Sequence, residues 1–374
     1  MGSAEKVSWK RVLILAGAII AFTIGSGFAT GQEIIQYYTA YGVKGLLVIL
    51  VFLVAFLYYN FNFAKAGAEQ KFEKGNDVYK HFCGKYVGTF CDYYSTLFCY
   101  MSFFVMVGGA SSTLHQEYGL PAWVGGVVLT ALAVNSMVDA IGAVGPVIVV
   151  LCIAIGVITL IRDGGDVGAG LDIIKNAAYE GAANGETIKS AGSNWLVSGL
   201  SYAGFVLLWF ASFTAALGSN NKKKELNYGI IGGTVAVCVA IAVVMFAQIS
   251  NINTPMIGSS DTFVWNADIP NLILAAKIWK PFSAIFAIIV FAGIYTTAVP
   301  LLYNPASRFA KEGTSQFKIL TIVLGVLGLI VGLFLPFRVL VNIIYVLNGY
   351  VGAVLILFMI YKNIKDLMNK KKAN

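Results

Sequence analysis

The stretch Gly25-Ser26-Gly27-Phe28-Ala29-Thr30-Gly31-Gln32-Glu33 sits inside an apolar run that extends from Arg11 to about Tyr41. Its glycines and serine fall near the middle of a segment long enough to cross a bilayer. Glycine costs about 1 kcal/mol relative to alanine in a helix interior, so the cluster predicts a helix that breaks at mid-membrane. A broken helix exposes carbonyls at the end of its first half and amides at the start of its second. The former suit a cation and the latter a substrate carboxylate. The spacing Gly27-x-x-x-Gly31 equally suits the close approach of another helix, and Gly229/Gly233 and Gly328/Gly332 share it. From the glycines alone both readings stay open.

The composition around this stretch is that of a membrane protein. Of 374 residues, 58% are hydrophobic and 12% charged, and the mean hydropathy is +0.77. Soluble domains carry about 25% charged residues, and even a ~300-residue domain buries only ~75% of its surface. A hydrocarbon core of ~30 Å needs about 20 mostly apolar residues per helix. Ten segments qualify: 11–41, 43–68, 87–115, 121–137, 139–162, 195–219, 227–250, 281–305, 317–336 and 338–361. The first is longer than a signal peptide, lacks a small-residue cleavage site, and is read as retained.

Charge gives the orientation. With the N-terminus inside, nineteen lysines and arginines fall in inner segments and seven outside, which places both termini in the cytoplasm. The net charge of +8 then reflects topology and anionic lipid headgroups, and nucleic acid is not expected as a partner. Nor is an enzyme: His-Glu-x-x-His, Gly-x-Ser-x-Gly and a phosphate loop are all missing. The two histidines, His81 and His115, exclude a multi-histidine metal centre. The five cysteines form no Cys-x-x-Cys pair, and Cys83, Cys91 and Cys99 recur at a spacing that fits helix packing. No cofactor and no obligatory protein partner are expected beyond a small-molecule substrate and the bilayer.

The longest polar stretch near the centre, 163–194, divides the chain into a five-helix unit at 1–162, an extracellular linker with a short helix, and a five-helix unit at 195–374. An odd number of crossings starts the second unit on the opposite side, so the two units would be related by inversion, as in many secondary transporters. The segment 251–279 is expected to form a hairpin over the same outer face. Helix 6, which opens the second unit, is also expected to be interrupted, at Ser198-Gly199-Leu200-Ser201-Tyr202-Ala203-Gly204. Paired interruptions in corresponding positions point to a transport site. In helix 8, Gly293, Thr296 and Thr297 share one face. They offer a carbonyl and two hydroxyls to a hard cation, although membrane threonines commonly bond back to their own helix.

With these residues in hand, Gly25–Glu33 followed by Ile34-Ile35-Gln36-Tyr37-Tyr38 resembles the YkvI-like bacterial membrane proteins. These are placed with the LeuT-fold transporters of the amino acid–polyamine–organocation superfamily. The YkvI-like resemblance covers most of the chain. The LeuT-fold resemblance rests on ten helices, two inverted repeats and the Gly-x-Gly break. It implies an all-α integral membrane fold and a Na⁺ site between helices 1 and 8. The ligands would be the Ala21, Ile24 and Gly293 carbonyls and the Thr296 and Thr297 hydroxyls. Proton-coupled relatives often carry a lysine on helix 5, and none lies between Asp139 and Ile161 here. Metal-transporting relatives carry an Asp/Asn pair in the break and a methionine in helix 6, and this chain has neither.

The expected function is therefore secondary active transport in a bacterial cytoplasmic membrane: Na⁺-coupled symport of a small amino acid or related amine by alternating access. Its substrate would lie among Gly25, Ser26, Gly27, Phe28, Ser198, Gly199, Ser201, Tyr202 and Phe205. Glu33, roughly 12 Å along the helix from Gly25, is either a gate, a proton carrier or a substrate counter-charge, or a carboxylate neutralised by Lys44. Asp92 and Asp139 are expected to partner cytoplasmic lysines. Proton-coupled or uncoupled transport of an organic cation, and a transporter-like sensor, are the alternatives.

Overall fold

A computed structural model describes residues 7–135, 144–162, 166–182 and 185–373. The first expected segment is not one helix but three: α1 (Trp9–Thr23), α2 (Ser26–Thr30) and α3 (Gln32–Tyr37), followed by a 3₁₀ turn at Thr39–Lys44. Ser8 caps α1, its hydroxyl accepting the Arg11 amide at 3.4 Å. After the turn come α4 (Gly45–Gln70), α5 (Asp77–Tyr118), α6 (Ala122–Asn135) and α7 (Val144–Arg162). Within α5 two helices meet at a kink at Gly84, whose φ of 75° lies in the left-handed region that glycine adopts readily.

The short helix expected between the halves is α8 (Val167–Asn176), capped by Asp166, whose carboxylate accepts the Ala169 amide at 2.9 Å. The second half comprises α9 (Trp195–Asn220), α10 (Lys223–Ser250), α11 (Pro270–Ile278), α12 (Lys280–Phe309) and α13 (Ser315–Phe334). It ends with α14 (Phe337–Leu340), a π turn at Val341–Tyr345 and α15 (Val346–Ala373). An antiparallel bridge between Pro255 and Phe263 closes the hairpin before α11. Among the described residues, seven helical stretches are long and apolar enough to span a membrane. The other three expected segments are the broken α1–α3 and the shorter apolar helices α6 and α7.

Two groups of helices form. In one, α1 packs on α10, and α4 packs on both α10 and α9. In the other, α5 packs on α6, α12 and α13, and α13 also meets α6 and α12. Polar bonds fix the start of α1 to that of α10: the Ser8 amide donates to Glu225 at 2.9 Å, and the Arg11 guanidinium to Asn221 at 2.7 and 3.0 Å.

The expected interruption of helix 6 is not found: α9 runs unbroken through Ser198–Gly204. Its small and polar residues bind neighbouring helices instead. The Ser198 hydroxyl donates to the Tyr37 carbonyl at 2.8 Å, and Ser201 to the Val346 carbonyl at 3.4 Å. Gly199 faces Val51 of α4, and Gly204 stands against the Gly349 carbonyl of α15. Close backbone approach of this kind is what holds helices together where lipid removes the hydrophobic driving force.

A side chain at Gly204 has no room, so Gly204→Val is expected to destabilise by about 1–3 kcal/mol or more. Gly17, with open space around it, is expected to accept alanine with a gain of up to about 1 kcal/mol. Thermal unfolding of the purified protein in detergent reads both.

Candidate functional site

Helix 1 breaks where its glycines cluster. Ile24 (φ −92°, ψ 94°) and Gly25 (φ −94°, ψ −167°) are extended. The Ile24 amide still reaches the Ile20 carbonyl at 3.0 Å, but from Ala21 onward the carbonyls of α1 lose their ladder partners. A second break follows at Gly31, where φ is 85°. Here side chains add donors to the carbonyls around the turn, of which that of Phe28 already accepts the Gly31 amide and that of Gly31 the Ile35 amide, each at 3.0 Å. The Asn271 amide donates to the Ala29 carbonyl at 3.1 Å and to that of Phe28 at 3.4 Å. Gln248 donates to the Gly31 carbonyl at 2.9 Å, and Thr39 holds Gln248 through a 2.8 Å hydroxyl bond. Thr39, Gln248 and Asn271 are all buried.

The first break faces a cavity of about 860 Å³ lying between the two helix groups. Ala21, Ile24 and Gly25 line one wall and Gly293, Thr296 and Thr297 another, so all five expected ion ligands border the same space. Both threonine hydroxyls donate to the Gly293 carbonyl, at 2.9 and 3.0 Å. The back-bonding pattern is therefore present, yet each hydroxyl oxygen keeps acceptor capacity toward the cavity. The Gly293 carbonyl has both lone pairs engaged. Pro300, inside α12 and on the cavity wall, has no N–H for the carbonyl four residues earlier. That carbonyl belongs to Thr296, which makes it a further oxygen donor. The sequence signal, a proline four residues beyond a threonine, was available and is a better guide than the glycine. A set of uncharged oxygens drawn from two helices suits a hard cation.

The cavity opens among Lys74, Asp77, Lys80, Asp92 and Arg308. Arg308 forks onto Asp92 at 2.7 and 2.8 Å, Asn76 donates to the same carboxylate at 2.7 Å, and the guanidinium lies over the Tyr93 ring at 4.4 Å. The partner expected for Asp92 was a lysine. An arginine takes its place because a planar fork matches a carboxylate with two charge-assisted bonds. Asp139 lies outside the described residues.

The expected substrate residues distribute unevenly. Gly25 lines the cavity, whereas Ser198, Gly199 and Ser201 bind neighbouring helices as described above. On α9 the cavity is lined by Leu208, Trp209 and Ser212, residues without a distinguishing sequence signal. Ser26 opens α2. Gly27 and Phe28 are buried beyond the end of the cavity, as are Tyr202 and Phe205. Phe205 stacks on Tyr345 at 4.7 Å between ring centres. Glu33, 2% exposed, folds back so that its carboxylate lies against Gly27 and accepts the Tyr202 hydroxyl at 3.1 Å. Lys44 is exposed, and among the described residues no ion pair to Glu33 forms.

No protein-family profile matches the chain. A stretch of 120 residues is 28% identical to the uncharacterized protein YyaD of Bacillus subtilis (strain 168). This match covers 32% of the chain and 33% of that protein, so it spans about a third of the relative's length. Among solved structures, the chain is similar to MhsT, crystallised in complex with L-phenylalanine, with a TM-score of 0.61 and 14% identity. The similarity covers 95% of this chain and 89% of that one. At this identity the likeness is one of fold: the chain has the LeuT fold.

Removing the Asn271 cap is expected to cost about 1–3 kcal/mol in Asn271→Ala, because the buried Ala29 carbonyl loses its amide donor. Asn271→Asp is expected to cost more, since it loses the donor and brings acceptor oxygens against the same carbonyls. Unfolding midpoints of the two variants check the order.

Proposed function

We propose that the chain is a YkvI-like secondary transporter that works by alternating access, coupling Na⁺ to the uptake of a small amino acid or related amine. The observation that carries this reading is a single cavity that runs from a lysine- and arginine-bearing mouth to the break in helix 1 and stops there. A through-channel would need an open path past Gly25, and that space is filled by the buried side chains of Phe28, Glu33 and Tyr202. The LeuT fold supports the same reading, since transport sites in this architecture form at discontinuous helices.

In the proposed orientation the termini and the cavity mouth face the cytoplasm, so the conformation is inward-open. The membrane is the bacterial cytoplasmic membrane, and the halves at 1–162 and 195–374 are the inverted repeats. Na⁺ is held by the Ala21 and Ile24 carbonyls on one helix group and by the Thr296 and Thr297 hydroxyls, with the Thr296 carbonyl, on the other. A cation bound on both sides draws the groups together and narrows the cavity. Its departure toward the cytoplasm lets them part, which couples the ion gradient to substrate release. The outer path is closed meanwhile by the caps on Phe28, Ala29 and Gly31.

Thermal unfolding in Na⁺ against K⁺ tests the coupling ion. A ligand that binds only the folded state stabilises by about 2.7 kcal/mol at a hundredfold its Kd. Na⁺ is expected to raise the midpoint in the wild type but not in a Thr296→Ala/Thr297→Ala variant. An equal response to both ions would remove Na⁺ from the mechanism.

A further inference from the structure

We propose that the substrate is an organic cation without a carboxylate, and that Glu33 receives its ammonium group. This rests on the transporter reading and narrows its substrate class. Three observations meet at the closed end of the cavity. The first is the state of Glu33 itself: a buried side chain whose described hydrogen bond is the one from Tyr202. A carboxylate inside a membrane protein is ordinarily paired or set on a transport path. Here no lysine, arginine or histidine is paired with it among the described residues.

The second observation is the place this carboxylate occupies. It lies against Gly27, two residues beyond Gly25, where the cavity ends. An amino acid entering from the cavity would bring its own carboxylate toward the free amides of the break. The protein's own carboxyl group already stands against Gly27 and takes the room a second one would need. Compensation from the helix is small, because α2 has five residues before Gly31 interrupts it, leaving few aligned peptide dipoles. The same location attracts a cation.

The third is the surrounding chemistry. The ring of Tyr202 is enclosed edge-on by Tyr37 and Tyr38 at 5.1 Å, Phe52 at 5.0 Å and Phe205 at 4.9 Å. The Tyr38 hydroxyl is buried and has no hydrogen-bond partner among the described residues. Tyr202 joins an aromatic cluster to the Glu33 carboxyl group through its hydroxyl; aromatic rings beside an acidic side chain favour a cation, and an orphaned hydroxyl is an acceptor for an ammonium N–H. The aromatic cluster, Glu33 and Gly27 are thus one recognition unit beside the end of the cavity.

Matched probe pairs that differ by a carboxylate test the assignment: phenethylamine with L-phenylalanine, agmatine with L-arginine, and ethanolamine with L-serine. Each is added to the purified full-length protein near neutral pH, in Na⁺ and in K⁺, and the unfolding midpoint is followed with concentration. At least one amine is expected to stabilise the wild type with an affinity about tenfold or more above that of its parent amino acid. Glu33→Gln is expected to lose that preference, and Glu33→Asp, which keeps the charge, to retain part of it. The proposal is overturned if an amino acid stabilises as well as its amine, if no amine stabilises, or if Glu33→Gln keeps the preference. Should the Gln variant not fold, the wild-type ratio decides alone. Amine binding that is indifferent to Na⁺ would overturn the coupling ion and leave Glu33 standing, so the two failures are separable.

Discussion

A chain that crosses a bilayer must satisfy its backbone polar groups internally, and helix 1 breaks that constraint twice. The two breaks are treated differently. At Gly31 the surrounding carbonyls accept the side-chain amides of Asn271 and Gln248, which reach in from α11 and α10. At Ile24–Gly25 the loose carbonyls face a cavity and wait for a partner. In the proposed orientation the first of these holds the outer side shut and the second is the candidate binding site. Most of the architecture around helix 1 follows from keeping the first capped and the second accessible.

The packing divides accordingly. Within each helix group the contacts are tight or strongly bonded. Gly67 meets the Ala215 carbonyl and Gly218 that of Ala64 across α4 and α9, and Arg308 forks onto Asp92 across α12 and α5. Between the groups lies the cavity. Such an arrangement suits the proposed movement as two bodies, because breaking a backbone-close glycine contact or a half-buried ion pair costs more than widening a space already open. The candidate ion ligands lie on both bodies, so in the proposed mechanism a bound cation acts on their separation rather than on either body alone.

Much of this was legible in the sequence where the signal is local. Membrane character, the break near Gly25 and the threonine pair on α12 follow from composition and spacing over a few residues. The signal failed where local chemistry has two uses. Ser198, Gly199, Ser201 and Gly204 have the small, polar character of an unwound helix, and the same character serves close packing, which is what α9 does with them. Partners far apart in the chain were out of reach: Asn271 caps Ala29 from 242 residues away, and Arg308 finds Asp92 across 216. Glu33 was recognisable as an unusual intramembrane acid, but its return to Gly27 depends on the second break, which turns α3 relative to α2.

The central claim is that a cation bridges the end of α1 and the middle of α12 and thereby sets the width of the cavity. A single cysteine at Ser212, on the cavity wall, reports that width in a variant from which the five native cysteines have been removed. The most direct measurement is the rate of its modification by a water-soluble thiol reagent in Na⁺ against K⁺. The account predicts modification that slows several-fold in Na⁺ and loses this ion dependence when Thr296 and Thr297 are replaced by alanine. A rate that is the same in both ions, or faster in Na⁺, would contradict it.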